Sequence, residues 1–217
     1  MKAAIFDFDG TLVNSLIFWE LYWDAFGKHC LGVEGFVPDA DVDKAVRTAI
    51  STQLKEVIDK RYGHGEEAYA LFNDMLIRFY EQQVELKEGV REFLDHCREN
   101  GVKMCVATAS ETRLVKVAMK RLQLEPYFEG LFSCFDLGVG KEVPDVFFKA
   151  LSCLGTDKAD TFVFEDSLLA IQTVTKAGFK TVGIYDKHNF GHAEMQKIAT
   201  HYVGAGETMM KLAIFLK

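Results

Sequence analysis

The feature that most constrains this fold is a regular alternation of short apolar runs with longer segments of helical periodicity. Five runs rich in β-branched and aromatic residues predict strands buried on both faces: Ala3–Phe8, Val102–Ala107, Leu131–Phe135, Thr161–Phe164 and Thr181–Tyr185. Between them lie four patterns that predict helices: Val90–Asn100, Arg113–Leu122, Val146–Leu154 and Leu168–Ala177. Because such alternation is typical of a parallel sheet covered by helices on both faces, we predict an α/β, doubly wound core.

One long segment interrupts the alternation. Residues 15–83 contain no strand-like run and predict several helices, broken near Gly32–Pro38 and Gly63–Gly65. We therefore expect an α/β core made of residues 1–14 and 84–217, with an α-helical domain of residues 15–83 inserted after the first strand.

Composition narrows the possible partners. The 217 residues are 49% hydrophobic and 26% charged, as in soluble globular proteins. The net charge of −7 argues against a nucleic-acid or anionic membrane partner, because phosphate affinity comes mainly from Lys and Arg. There is no apolar run long enough for a membrane span or a signal peptide, and the five cysteines include no CxxC pair. We expect a cytoplasmic protein, monomeric or a weak homodimer.

The end of the first predicted strand carries two carboxylates. Ligands of open α/β sheets bind at the carboxyl ends of the strands, where Asp7 and Asp9 are followed by Gly10, which permits a sharp turn. Two such charges near 4 Å repel by roughly 4 kcal/mol at an effective dielectric of about 20. Either one carboxylate takes up a proton or a cation lies between them.

Three further strand ends carry polar groups. Thr108 offers a hydroxyl beside free backbone N–H groups, an anion site, although Thr108 and Glu111 also fit a helix capping box. Lys141 follows a glycine-containing loop, where it could neutralise carboxylates and contact a phosphoryl oxygen. Glu165 and Asp166 supply a second carboxylate pair, completing an oxygen-rich group suited to Mg²⁺.

The charges of these groups make a metal ion necessary. Four carboxylates and one lysine would repel a phosphate dianion, whereas Mg²⁺ brings the total to about −1. We therefore expect Mg²⁺ to be required for binding as well as for chemistry.

With these residues in order along the chain, the sequence resembles the haloacid dehalogenase superfamily, in particular its phosphatases with a helical cap. The matching segments are DFDGTLVNS, VATAS, Lys141 and FEDSLLAI with the following KAGFKTVGIYD. The resemblance covers the core and implies a Rossmann-like sheet. The inserted segment matches only in position and helical character, and the resemblance implies that it is a cap that sets substrate specificity.

The resemblance also implies residue roles. Asp7 would attack phosphorus and become an aspartyl-phosphate, and Asp9 would act as general acid and then as base for water. The implied phosphoryl-binding residues are Thr108, Ala109, Lys141 and Gly10. The implied Mg²⁺ ligands are Asp7, Asp9 through its backbone carbonyl, Asp166 and Glu165.

The expected activity is hydrolysis of a small soluble phosphomonoester, such as a sugar phosphate or phosphoglycolate. Two alternatives stay open: a sugar-phosphate mutase like β-phosphoglucomutase, and a phosphate-binding module without turnover. Dehalogenases and phosphonate-cleaving relatives lack the carboxylate found here at Asp9, and mutases usually carry a histidine where this chain has Trp19. Five basic residues of the inserted segment could contact a second anionic group: Lys28, His29, Arg47, Lys55 and Arg61. His188 and His192 lack a zinc-site context and are predicted to be surface residues.

Overall fold

The chain divides into two compact units. The computed structural model describes residues 1–48 and 51–216. One unit comprises Met1–Leu16 and Val84–Lys217, and the other comprises Ile17–Gln83. We call them the α/β unit and the helical unit. No helix in the described part of the chain is both long enough and apolar enough to cross a membrane.

A six-stranded parallel sheet forms the centre of the α/β unit. Its strands are β1 (Ala3–Phe6), β2 (Lys103–Thr108), β3 (Gly130–Ser133), β4 (Thr161–Glu165), β5 (Lys180–Ile184) and β6 (His201–Val203). Their order across the sheet is β3-β2-β1-β4-β5-β6, and every paired strand is parallel. The order reverses between β1 and β4, and such a reversal opens a crevice at the carboxyl ends of the strands.

The helical unit packs its helices around aromatic rings. Its helices are α1 (Phe18–Phe26), α2 (Ala40–Thr48), α3 (Ser51–Tyr62) and α4 (Gly65–Arg78), with π-helical turns at Gly27–Leu31 and Phe79–Gln83. Its aromatic core consists of Phe18, Tyr22, Trp23, Phe26, Phe72, Phe79 and Tyr80, all buried. The ring of Phe72 meets those of Phe18 and Tyr22 edge-on, at 5.6 and 5.5 Å between centroids.

Helices lie on both faces of the sheet, which confirms the doubly wound α/β prediction. The α-helices of the α/β unit are α5 (Val90–Glu99), α6 (Thr112–Arg121), α7 (Cys134–Leu137), α8 (Asp145–Leu154), α9 (Leu168–Lys176) and α10 (His192–Ile198), and short 3-10 helices span Glu125–Tyr127, Lys158–Asp160 and Met209–Leu216. On one face Ile5 of β1 packs in a cluster with Phe147 of α8 and Val174 of α9. On the other face Phe6 stacks on Phe164 at 4.5 Å and meets Phe93 of α5 at 6.3 Å.

Several bounds and two elements differ from the sequence predictions. The predicted strand Leu131–Phe135 is wrong at its end, because Ser133 caps α7 by accepting a hydrogen bond from the Asp136 N–H. The first strand ends at Phe6 rather than Phe8, because the Phe8 carbonyl accepts hydrogen bonds within the following turn. The short strand β6 and the helix α10 were not predicted.

Candidate active site

The loop after β1 brings Asp7 into the crevice. The Asp7 N–H donates to the Phe164 carbonyl at 2.9 Å, so the sheet pairing extends one residue past β1 and fixes the aspartate backbone. The chain then turns at Gly10, whose φ of +73° is a conformation that side chains other than glycine rarely adopt. The Asp7 side chain is buried.

Lys141 reaches the same crevice from the loop between α7 and α8. Its ammonium forms ion pairs with Asp7 Oδ1 and Glu165 Oε1, and its side chain is only 9% exposed. Burial opposes the charge of Lys141, but the two carboxylates outweigh it and raise the pKa of the lysine above its usual range. The lysine therefore stays charged between two carboxylates.

Three buried carboxylates form a compact group that could hold a metal ion. Asp7, Glu165 and Asp166 each offer one oxygen, and these oxygens lie within 4.8 Å of one another. Burial raises the pKa of each, to about 7 for Asp166, where the Asp7 charge adds to the effect. When all three are ionised, Lys141 leaves two negative charges uncompensated. A divalent cation with a preference for oxygen ligands fits this charge and donor set.

Asp166 is surrounded by groups that fix its carboxylate. The Thr11 hydroxyl donates to Oδ1 at 3.4 Å, and the Asn189 amide donates to Oδ2 at 2.8 Å. A Cβ on Gly10 would lie 2.3 Å from Oδ2, so only glycine leaves room for this carboxylate. Sequence reasoning missed the roles of Thr11 and Asn189, although Thr11 lies in the quoted DFDGT segment.

The end of β2 contributes a second small network. Thr108 is buried and its Oγ1 accepts the Ser110 N–H at 3.0 Å. The Ser110 hydroxyl donates to Asp9 Oδ2 at 2.7 Å. The predicted capping box of Thr108 and Glu111 is wrong, because α6 begins only at Thr112 and Glu111 makes no side-chain cap.

The predicted site residues thus fall into two linked sets at one edge of the sheet. Asp7, Lys141, Glu165 and Asp166 form the buried group, with Gly10 against Asp166. Asp9 is instead tied through Ser110 to the end of β2, where Thr108 and Ala109 lie. Ser110 was not assigned a role from the sequence. The chemical roles of these residues stay predictions.

Other candidate residues from the sequence have local partners. His188 and His192 are partly buried rather than surface residues, and the His192 ring lies 4.5 Å from that of Tyr185. Four of the basic residues in the helical unit pair with acidic neighbours: Lys28 with Asp24, Arg47 with Asp43, Lys55 with Glu66 and Arg61 with Asp39. His29 is exposed.

Comparison with known proteins gives the family. A phosphorylated carbohydrates phosphatase of Thermotoga maritima is 25% identical over 224 residues, covering 96% of this chain and 97% of the relative. A β-phosphoglucomutase of Bacillus subtilis is 25% identical over 195 residues, covering 85% and 83%. The solved structure of CbbY from Rhodobacter sphaeroides in complex with phosphate has a TM-score of 0.70 at 18% identity, covering 94% and 93%. The model of the haloacid dehalogenase-like hydrolases matches residues 1–178, and the chain belongs to this family, which confirms the resemblance.

Proposed function

We propose that this protein is a Mg²⁺-dependent phosphatase that hydrolyses a small phosphomonoester through an aspartyl-phosphate on Asp7. The observation that carries the proposal is the buried group of Asp7, Glu165 and Asp166 beside Lys141 at the switch point of the sheet. Phosphoryl transfer needs positioning and charge neutralisation above all. This group supplies a carboxylate nucleophile, Asp7, together with the negative charges that hold Lys141 and a divalent cation.

In the first step an Asp7 carboxylate oxygen forms a bond to phosphorus while the bond to the ester oxygen breaks. Asp9 gives that leaving oxygen a proton, and Lys141 stays charged beside the phosphoryl oxygens. In the second step Asp9 takes a proton from water as the water oxygen attacks phosphorus, and the Asp7–phosphorus bond breaks. A carboxylate nucleophile thereby divides the hydrolysis into two easier steps.

The remaining predicted residues bind the phosphoryl group in this scheme. The Thr108 hydroxyl and the backbone N–H groups near Ala109 and Gly10 supply neutral donors, which bind phosphoryl oxygens without cancelling the charge of the nucleophile. Mg²⁺, when bound, would be held by the carboxylates of Asp7 and Asp166, the Asp9 carbonyl and Glu165, and would neutralise charge on the phosphoryl oxygens.

The family, one relative and one structurally similar protein support the substrate class that we propose. One relative is named a phosphorylated carbohydrates phosphatase, and the solved CbbY structure contains phosphate. A sugar phosphate or a phosphoglycolate-type ester is therefore the substrate we propose. We also propose that the helical unit is the cap that sets the choice between them.

A sugar-phosphate mutase is the second candidate, because a β-phosphoglucomutase is among the relatives. Trp19 argues for hydrolysis. Its ring stacks on Phe72 at 5.7 Å, and the Arg47 guanidinium lies 5.6 Å from its centroid. This side chain is thus part of the packing of the helical unit, and it offers no imidazole for proton transfer. The mutase hypothesis requires a sugar bisphosphate for priming, and sugar phosphate would then isomerise faster than inorganic phosphate appears.

The test is an Asp7→Asn variant assayed with an aryl phosphate, with and without Mg²⁺. We expect turnover of the parent only with Mg²⁺, and a loss of about four orders of magnitude in the variant. Asp160→Asn is the matched control, since Asp160 precedes β4 at the opposite edge of the sheet and pairs with exposed Lys2. Parent-like turnover by Asp7→Asn would refute the proposal.

A further inference from the structure

The loop that follows β5 is anchored by a buried ion pair. The Asp186 side chain is 2% exposed and lies 2.7 Å from the Lys87 ammonium, which also donates to the Tyr185 carbonyl at 3.0 Å. Asp186 Oδ1 accepts the His188 N–H at 2.9 Å, and the Asp186 carbonyl accepts the Asn189 N–H at 3.0 Å. Three hydrogen bonds and one ion pair therefore fix the backbone that carries Asn189.

The Asn189 side chain bridges the backbone carbonyl and the carboxylate of Asp166. Its Nδ2 donates to the Asp166 carbonyl at 3.1 Å and to Asp166 Oδ2 at 2.8 Å. Its Oδ1 accepts the Phe190 N–H at 2.9 Å. Because a backbone N–H can only donate, this contact orients the amide with its NH₂ group towards Asp166. A donor that holds both the carbonyl and the carboxylate of Asp166 restricts rotation of that side chain.

Asn189 is also a neutral donor, which suits a position beside a metal-binding carboxylate. A Cβ on Gly10 would lie 2.3 Å from Asp166 Oδ2, and the Thr11 hydroxyl donates to Oδ1. The two side chains that donate to Asp166 in the described part of the chain, Thr11 and Asn189, are neutral. They orient the carboxylate without cancelling its charge, whereas a lysine or arginine at the same place would remove one of the two negative charges that remain for a divalent cation.

We propose that Asn189 is a positioning residue that orients the Asp166 carboxylate towards the divalent cation, and that the Lys87–Asp186 ion pair holds the loop that carries it. This inference rests on the proposed function, in which Asp166 is a metal ligand. Groups that orient ligands typically change metal affinity by about 10- to 100-fold when they are removed.

The test is the affinity for Mg²⁺ alone, measured by isothermal titration calorimetry without substrate on the full chain. We expect Asn189→Ala to raise the Mg²⁺ dissociation constant by about 10- to 100-fold. Turnover of an aryl phosphate should fall at limiting Mg²⁺ and recover most of its value at saturating Mg²⁺. Asn189→Ser, whose hydroxyl is too short to bridge both acceptors, is the second variant and should weaken Mg²⁺ binding in the same direction. Asp186→Asn should weaken it less.

The matched control is Gln172→Ala. Gln172 donates the same kind of amide hydrogen bond, at 2.8 Å to Glu194 Oε1, on the exposed side of α9. Its removal should leave the Mg²⁺ dissociation constant unchanged.

Two outcomes separate this inference from the proposed function. If Asp7→Asn is inactive but Asn189→Ala and Asn189→Ser bind Mg²⁺ as the parent does, the positioning role is overturned and the phosphatase assignment stands. If both variants lose only thermal stability in the metal-free protein, Asn189 is merely structural, and the inference again fails. If Asp7→Asn is fully active, the proposed function itself is refuted.

Discussion

The α/β unit buries charged side chains, whereas the described part of the helical unit fills its interior with aromatic rings and leaves its ion pairs at least partly exposed, down to 19% for Arg47. Asp7, Lys141, Glu165 and Asp166 form one buried group although they lie far apart in the sequence. In the helical unit, ion pairs such as Lys28–Asp24 link side chains that are about half exposed.

The two arrangements have different physical consequences. Burying a charge costs several kcal/mol, and only a well-placed partner offsets this cost, so a buried ionic group is weak support for stability. Aromatic burial stabilises directly, through apolar area and ring–ring contacts. We infer that the aromatic core stabilises the helical unit. The buried ionic group of the α/β unit adds little to the free energy of unfolding, and such groups are typical of functional sites.

The sharpest test of this contrast compares two lysines. Lys141→Met removes the only cation that contacts Asp7 and Glu165 in the described structure, and it should lower the free energy of unfolding of the metal-free protein by about 3–5 kcal/mol at pH 8. Lys55→Met breaks the exposed pair with Glu66 and should have no measurable effect. Urea denaturation of both variants gives the comparison. Equal losses would show that burial of the ionic group is not what separates the two units.

A second comparison uses two glycines with positive φ. Gly10 has φ +73° and its Cβ would lie 2.3 Å from Asp166 Oδ2, whereas Gly35 of the helical unit has φ +65° and no atom within 4 Å of the Cβ position. Alanine at either position should cost about 1–2 kcal/mol of stability from backbone strain. Only Gly10→Ala should also displace Asp166, which should lower kcat/KM by about 100-fold or more.

The glycine comparison separates strain from crowding. Thermal unfolding measures the strain that both variants share, and steady-state kinetics with an aryl phosphate measures the displacement. A Gly35→Ala variant that loses as much activity as Gly10→Ala would mean that strain alone explains the loss.

Removal of the metal ion should affect the two units differently. At a Mg²⁺ concentration about 100 times the dissociation constant, binding should stabilise the protein by about 2.7 kcal/mol relative to protein in EDTA. Hydrogen exchange should slow mainly in the loops after β1 and β4, with little change in the helical unit. Uniform protection of both units would contradict a site confined to the α/β unit.

Both the stability of the metal-free protein and its stabilisation by Mg²⁺ should depend on pH. Asp166 has its pKa raised from 3.8 to about 7 in the folded, metal-free protein, so between these values the folded state holds a proton that the unfolded state releases. The contribution of Asp166 to the stability of the metal-free protein is therefore present at low pH and is lost as the pH rises towards about 7. Stabilisation by Mg²⁺ should grow over the same interval, because the ligand must be deprotonated. Denaturation at pH 5 and pH 8, with and without EDTA, measures both trends.

These differences also explain which parts of the molecule could be predicted from sequence. Strands buried on both faces give unbroken apolar runs, so β1 and β4 were recognised, whereas β6 has only three residues, His201–Val203, and a polar one among them. Asp7 and Asp166 were found because charged residues at strand ends are conspicuous. Asn189 was missed because a neutral amide in a loop carries no such signal, and its partner lies 23 residues away in the sequence.

The smallest effect expected comes from deleting one hydroxyl in each unit. Ser110→Ala removes the hydrogen bond to Asp9 Oδ2, and Tyr22→Phe removes the one from the buried Tyr22 hydroxyl to the Ala68 carbonyl at 3.1 Å. Each bond contributes about 1 kcal/mol. For Ser110→Ala we expect this loss to appear in catalysis, as a fall of about 5- to 10-fold in kcat/KM, because Asp9 loses the hydrogen bond that orients it. Little stability should be lost, because Asp9 is partly exposed and water can replace the hydroxyl.

For Tyr22→Phe we expect the same energy as lost stability, with turnover of an aryl phosphate unchanged, because the hydroxyl lies inside the core of the helical unit. Steady-state kinetics and urea denaturation of both variants show whether each hydrogen bond contributes to catalysis or to stability. If Ser110→Ala loses stability but no activity, the Ser110–Asp9 contact holds the fold rather than the acid. Under the proposed mechanism, two hydrogen bonds of equal strength should then affect function in one unit and folding in the other, because only the Ser110 bond ends on the proposed general acid, Asp9.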